Sequence, residues 1–269
     1  MARNATPHDL RPLAKRRGMG DAGPTMPIDP IPLAGQTVLV VGGSAGIGLA
    51  TAQQARAAGA EVILAARNPD RLSAAAQQLG AARAEAFDAT DPDALRAFLS
   101  SIDALDHIMV TAGAPTYTNI ADADPEAARR ALSEHLLQTI VVAQNAVGRV
   151  RDGGTLVFMG GTGGKRPGLG LGFVGAVTNA LPSLIANLAL EVAPIRVNLI
   201  AAGFVDTPLS ASLLGDDLDT RREELRTKLP IRRVVTPDDV AALALHLMVN
   251  TALTGATYDI DGGQQLLRG

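Results

Sequence analysis

The sequence has no cysteine and no tryptophan, and aromatic residues make up only 3% of it. Without thiols there is no disulfide framework, no thiolate nucleophile and no thiolate metal site. So few rings offer no stacking platform for single-stranded nucleic acid. The four histidines, His8, His107, His135 and His246, are scattered with no HExxH-like pairing, so no metal site is expected. Charge of one sign is not in excess either. The 24 Lys and Arg against 27 Asp and Glu give a net charge of −3, which offers nothing to attract nucleic acid or an anionic membrane. Uninterrupted apolar runs fall short of the roughly 18 residues that span a bilayer. The first residues lack the apolar stretch of a secretory signal. A cytoplasmic location is the resulting expectation.

What is present suits one large α/β domain: 269 residues, 47% of them hydrophobic. Residues 1–34, rich in Pro, Gly and charge, read as a flexible tail, and their basic run Lys15-Arg16-Arg17 reads as solvated. From Gly35 to Gly269 short β-branched runs alternate with helical stretches. Strands are expected at Thr37–Val41, Glu61–Ala65, Ala82–Phe87, His107–Val110, Thr155–Met159, Ile195–Ile200 and Thr257–Ile260. Asn68-Pro69, Asp91-Pro92, Asp124-Pro125 and Thr236-Pro237 each set a capping side chain before a proline at a helix start, and Gly80 closes a helix. Strands apolar throughout are buried on both faces. The expectation is a single Rossmann-type, doubly wound domain: a seven-stranded parallel sheet with helices on both faces.

The first strand runs into VGGSAGIGLATAQQARAAGA, residues 41–60. Gly42, Gly46 and Gly48 form a tight turn that leads into a helix. Such a turn brings backbone N–H groups and a helix N-terminus to a pyrophosphate. At the end of the second strand, where a carboxylate would bind a ribose 2′-hydroxyl, the sequence has Ala66 and Arg67. A guanidinium there suits a 2′-phosphate, so NADP(H) is the expected cofactor. A solvated Arg67, paired with Asp70, is the alternative.

These segments and others resemble the short-chain dehydrogenase/reductase family over residues 35–265. The resemblance is carried by the glycine turn, Phe87-Asp88-Ala89-Thr90, and Thr111-Ala112-Gly113, which stands where the family has Asn-Ala-Gly. It continues in Arg196-Val197-Asn198 and Ala202-Gly203-Phe204-Val205-Asp206-Thr207, with Ala202 replacing a usual proline. Leu229-Pro230-Ile231-Arg232-Arg233, Thr254-Gly255 and Asp261-Gly262-Gly263 complete it. It implies cofactor contacts at Gly42, Ser44, Gly46, Ile47, Gly48, Arg67, Asp88, Ala89, Ala112, Gly113, Gly203, Val205 and Thr207. It also implies a small-molecule substrate under residues 208–228, and a homodimer or homotetramer through helices at about Pro125–Val147 and Pro182–Val192.

The same resemblance predicts an emptied proton relay. The family's Ser, Tyr, Lys and Asn positions fall on Gly161, Val174, Thr178 and His135. Hydride delivered to a carbonyl leaves an alkoxide to be protonated, and Val174 has no proton to give. Losing a positioned acid removes roughly 10²–10⁴-fold in rate. Pro182 is expected to kink or restart its helix, with Thr178 or Asn179 as a new cap. The candidate substitute donors are Tyr117, in the loop after the fourth strand, and His135. Each has a packing role as its alternative. Thr162 is a poor acid, Lys165 and Arg166 are candidate charges at the pocket mouth, and Tyr258 is read as structural. The expected function is a divergent NADP(H)-dependent oxidoreductase acting on a C=O, C=C or C=N bond. The alternative is a nicotinamide-nucleotide-binding sensor, regulator or partner subunit without turnover.

Overall fold

The computed structural model describes residues 33–267. The tail reading therefore lies almost wholly outside the described residues. Leu33, the first described residue, is fully buried and its N–H donates to the Ala58 carbonyl.

The strands are β1 (Thr37–Val41), β2 (Glu61–Ala66), β3 (Arg83–Ala86), β4 (Leu105–Val110), β5 (Val150–Gly161), β6 (Arg196–Ala202) and β7 (Thr257–Ile260). They form one seven-stranded sheet in the order β3-β2-β1-β4-β5-β6-β7, parallel at every pairing. The order reverses between β1 and β4, which opens a crevice at the carboxyl ends of those strands. The helices are α1 (Gly46–Ala57), α2 (Pro69–Leu79), α3 (Pro92–Ser100), α4 (Pro125–Ala146), α5 (Gly172–Glu191), α6 (Pro208–Leu214), α7 (Leu218–Lys228) and α8 (Pro237–Val249). On one face, Leu95 and Phe98 of α3, Val142 of α4 and Ile185 of α5 pack on Leu39, Ile108 and Leu156 of the sheet. On the other, Ala52 of α1, Leu72 of α2 and Val240 of α8 pack on Val40, Leu64 and Met109. Each of the larger of these side chains contributes roughly 1.5–3 kcal/mol on burial.

Proline-led starts behave as their chemistry dictates. The side chains of Asn68, Asp91, Asp124 and Thr236 each accept a first-turn N–H, and Gly80 is left-handed at φ 59°. A fifth cap of the same kind, Thr207-Pro208, opens α6 with a reciprocal Ser210 bond; its Thr-Pro signal is the same as that of Thr236-Pro237. Pro182 corrects the expectation of a restarted helix. α5 starts at Gly172 and runs through Pro182 to Glu191, and neither Thr178 nor Asn179 caps it. The proline forfeits one bond, to the Thr178 carbonyl, while the buried Leu181 and Ile185 on either side hold the helix on the core. α5 is long and apolar enough to cross a membrane by length and composition, yet Phe173, Val177, Leu181, Ile185 and Leu188 face the core.

Candidate functional site

The crevice starts at the glycine turn. Gly42 and Gly43 both donate to the Ala65 carbonyl, which ties the turn to β2. A Cβ on Gly48 would lie 2.2 Å from the Gly42 carbonyl oxygen, and one on Gly42 would lie 2.4 Å from Thr111 Oγ1. Only hydrogen fits at either position. The Thr111 hydroxyl donates to the carbonyls of Val41 and Gly42, 3.2 Å each, so this residue of the β4 end clamps the turn. α1, unlike the proline-led helices, has no side-chain cap, because Ala45 supplies no acceptor. Its first N–H groups are left for an outside acceptor. Ser44, Gly46 and Ile47 are partly accessible around that opening.

Arg67 lies exposed just past β2. Among the described residues it forms no ion pair with Asp70 or any other carboxylate. Asp88 is exposed and turns its carboxylate back to the backbone and hydroxyl of Thr90. The Ala89 carbonyl accepts from the buried Gln138 of α4. A nicotinamide dinucleotide fits this set: an uncapped helix start for its pyrophosphate and a turn too tight for side chains.

Across the crevice, Ala112 and Gly113 lead away from β4. A Cβ on Gly113 would fall 2.5 Å from His135 Cε1, so the imidazole of α4 lies against this loop. Burial pushes the His135 pKa below its usual value, against a small opposing pull from Glu134. His135 is therefore uncharged at neutral pH. Tyr117 is 53% exposed, and partial burial raises its phenol above its usual pKa. Its loop is held by the Thr118 N–H on the Gly170 carbonyl. Among the described residues no charged neighbour offsets that burial.

Gly161 ends β5, and a Cβ there would meet Thr178 Cγ2 at 3.4 Å and the Ala202 carbonyl at 3.5 Å. A Cβ on Gly163 would meet the methyls of Val174 at 3.8–3.9 Å. The Thr178 hydroxyl is turned into its own helix, donating to Val174 O at 2.8 Å and Gly175 O at 3.2 Å. Its methyl is the group that faces Gly161. Thus the β5 end and α5 meet as hydrocarbon against glycine. Beside them lies a groove of about 230 Å³, bordered by Gly164, Pro167 and Leu171 among others. A larger cleft of about 340 Å³, lined by Arg149, Val150 and Pro194 among others, sits by the amino ends of β5 and β6. It is at the opposite edge of the sheet from the crevice.

Of the two cations expected at the pocket mouth, Arg166 lines the groove and Lys165 is drawn into an ion pair. Lys165 pairs with Asp259, and Arg166 donates to the Gln264 carbonyl at 2.9 Å. Both tie the β5–α5 loop to the C-terminal segment. Gln264, which carries no local sequence signal, also accepts the Phe204 N–H at 3.0 Å, and Asp261 packs on Gly203. Together they fix the β6 end, where Val205 is bridged to Val235 and Thr207 packs on Gly46. Arg222 of α7 holds Asp206 through a bidentate pair at 2.7 and 2.9 Å, which closes the α6–α7 cover. Tyr258 is half-buried against the core. No metal-binding cluster occurs among the described residues.

The sequence profile of a family described as enoyl-(acyl carrier protein) reductase matches residues 41–265. Dehydrogenase/reductase SDR family member 4 of Sus scrofa is 32% identical over 247 residues, covering 86% of this chain and 88% of that protein. The solved MalC reductase/Diels–Alderase of Malbranchea aurantiaca superposes with a TM-score of 0.81 at 27% identity, covering 88% of this chain and 98% of the other. A small-chain dehydrogenase solved in complex with NADPH superposes with a TM-score of 0.74 at 26% identity, covering 86% and 99%.

Proposed function

The chain belongs to the short-chain dehydrogenase/reductase family, and from that premise we propose that it is an NADP(H)-dependent oxidoreductase working without the family's tyrosine acid. The observation that carries the cofactor choice is Arg67, exposed and unpaired past β2, beside the uncapped start of α1. Gly42, Ser44, Gly46, Ile47 and Gly48 would hold the pyrophosphate. Asp88 and Ala89 would border the adenine. Ala112, Gly113, Gly203, Val205 and Thr207 would wall the nicotinamide. A nicotinamide nucleotide supplies a hydride, and the chain supplies position and exclusion of water. A relative solved with NADPH supports the phosphorylated form.

The acid is the missing part. Gly161, Val174 and Thr178 stand at the relay positions. His135, uncharged, can hydrogen-bond a substrate but has no ammonium-like proton to give, and Tyr117 is a weaker acid than a free phenol. Substrates whose reduction needs no strong proton donor, C=C or C=N bonds, suit this site better than simple ketones. The fold carries such breadth elsewhere: the Malbranchea neighbour is described as both reductase and Diels–Alderase. The emptied relay also favours a second reading, a nucleotide-binding protein without turnover.

Assembly as a homodimer or homotetramer would use α4 and α5, whose outer faces expose Leu132, Leu137 and Leu190. The test of the main reading is thermal melting with NADPH, NADP⁺, NADH and NAD⁺. Ligand at about 100 times its dissociation constant adds roughly 2.7 kcal/mol, on the order of 5–10 °C here. A shift with phosphorylated nucleotides alone is expected, and no shift with any would overturn the reading. Turnover that persists in a Tyr117→Phe, His135→Ala double variant would dismiss both as the required donor.

A further inference from the structure

We infer that the groove beside the end of β5 is a carboxylate-binding site anchored by Arg166 and, resting on the oxidoreductase reading, that the substrate is an acid held there by its charged end. The groove, of about 230 Å³, is built mostly from glycine backbone of the β5–α5 loop and the first turn of α5, with Pro167 and Leu171 as apolar walls. Arg166 is its one charged lining residue, and no acidic residue lines it. Among the described residues the half-buried Arg166 guanidinium makes one hydrogen bond, to the Gln264 carbonyl at 2.9 Å, and no ion pair. A guanidinium carries five N–H donors in a planar fork, so most of them are left over. The carboxylates of the C-terminal segment that Arg166 reaches are committed elsewhere. Asp259 accepts from Lys165 and from Gln265 Nε2, and Asp261 accepts the N–H groups of Gly263 and Gln265. The chain thus sets a cation against a groove and gives it no anion of its own. The bond to Gln264 also holds the guanidinium in place beforehand, so less side-chain freedom is lost when a ligand binds.

One positive charge sets the class of ligand. A carboxylate brings one negative charge and two coplanar oxygens that match the fork. A phosphate group, at about −1.5 to −2, leaves charge unbalanced in a wall with a single cation. Size sets how the ligand sits. Pockets that enclose a whole small molecule run to roughly 300–1,000 Å³, so this groove takes one end of a ligand. Gly163, in the groove wall, also adjoins the relay positions, since a Cβ on it would meet the methyls of Val174 at 3.8–3.9 Å. An acid held at Arg166 therefore extends its uncharged end toward them, along Pro167 and Leu171.

The experiment uses one activated C=C skeleton in two charge states, 4-carboxy-β-nitrostyrene and 4-carbamoyl-β-nitrostyrene, on the full chain. Titration calorimetry reads binding without turnover. The acid is expected to bind about 10–100-fold tighter than the amide, the fold-change that charged hydrogen bonds supply. Arg166→Gln, which keeps an N–H for the Gln264 carbonyl, is expected to abolish that gap by weakening the acid alone. Arg166→Lys, a cation without the fork, is expected to keep part of it. A loss shared equally by acid and amide assigns Arg166 to holding the loop and overturns the inference. An acid that binds the unaltered chain no tighter than the amide overturns it too. NADPH oxidation then reads the substrate claim. Hydride adds to the carbon remote from the nitro group, the C=C π pair passes to that group as a nitronate, and water protonates the nitronate carbon. The acid is expected to have the higher kcat/KM, and Arg166→Gln to level the two probes. Equal kcat/KM in the unaltered chain overturns the claim that the substrate is an acid. A chain that binds nucleotide and prefers the acid but reduces neither probe overturns that claim and favours the reading without turnover. A chain that prefers the acid and binds no nicotinamide nucleotide overturns the oxidoreductase reading and leaves the carboxylate site standing.

Discussion

Two glycine-rich regions face each other across the carboxyl edge of this sheet, and their glycines are there for opposite reasons. In the turn after β1, Gly42 and Gly48 are hemmed in by backbone, with a built Cβ at 2.7 Å from Ala112 N and 2.2 Å from Gly42 O, respectively. Gly42 also sits at φ 99°, where other residues are strained. At the end of β5, Gly161 has an extended backbone at φ −148°, and a Cβ built on it meets its nearest atom at 3.4 Å, an ordinary contact. Gly42 and Gly48 are demanded by packing, because the turn after β1 has no room for a Cβ at either, whereas the end of β5 has room for one at Gly161. A Cβ on nearby Gly164, however, would meet the Asn179 side chain at 2.6 Å. The fold therefore constrains cofactor binding and leaves the chemistry free to change.

The largest test of that contrast is Gly48→Ala. The methyl must push the turn away from Thr111 and α1, which costs about 1–3 kcal/mol of stability by overpacking. The displaced helix start is expected to lose nucleotide affinity by more than ~100-fold. Melting with and without NADPH reads both effects. Unchanged melting and an unchanged NADPH shift would mean the turn is looser than its contacts imply, and the contrast would fail.

A second effect strikes the sheet beneath both regions. His107 of β4 is 4% exposed, bonded through Nε2 to Gln36 at 2.6 Å, with no partner for Nδ1. Desolvation lowers its pKa to about 4, with Asp106 opposing and Arg196 reinforcing the effect. The folded pKa lies below the unfolded value of about 6.5, so full stability holds above that pH. As the pH falls from 6.5 toward 4, the unfolded chain takes up a proton that the folded chain refuses. About 3 kcal/mol is lost across this window, because each pH step of one between the unfolded and folded pKa costs roughly 1.4 kcal/mol. His107→Gln keeps an amide for Gln36 and is expected to flatten this step in urea denaturation at stepped pH. An equally steep step in the variant would assign the loss to other groups.

Much of the fold was legible because its signals are local. The apolar strands, the proline-led caps and Gly80 each act within a few residues, and β1 and β7 fall where the sequence places them. The site was legible only in part. Gln264 on Phe204 and Arg166 on Gln264 join residues 60 and 98 positions apart, and no spacing rule reaches that far. Pro182 misled because its local penalty is real, while the burial of Leu181 and Ile185 that outweighs it is tertiary. The cations Lys165 and Arg166 could be placed near the crevice from sequence, but not their partners.

Arg67 sharpens the contrast at its cofactor end. An exposed guanidinium contributes through charged hydrogen bonds worth about 1.5–3 kcal/mol when it meets a phosphate. Arg67→Ala is expected to weaken NADPH roughly 10–100-fold and to leave NADH within about threefold. Calorimetric titration of both nucleotides checks it. Equal loss for the two would place Arg67 on the fold and away from the 2′-phosphate.

The smallest expected effect carries the other half of the comparison. If Gly161 is permitted and not required, Gly161→Ala should be nearly silent for the fold. The added methyl meets Thr178 Cγ2 and the Ala202 carbonyl at ordinary contact distance, and the extended backbone accepts any residue. A change within about 0.5 kcal/mol follows, or about 1–2 °C in melting at roughly 2–4 °C per kcal/mol. The NADPH shift should persist, because the substitution touches neither the turn after β1 nor α1. A loss of several degrees would show that this position, too, is closed by packing, and that its glycine was selected by the fold. A silent outcome shows that packing does not require the glycine, and so leaves the β5 end free to carry a side chain without a change of fold.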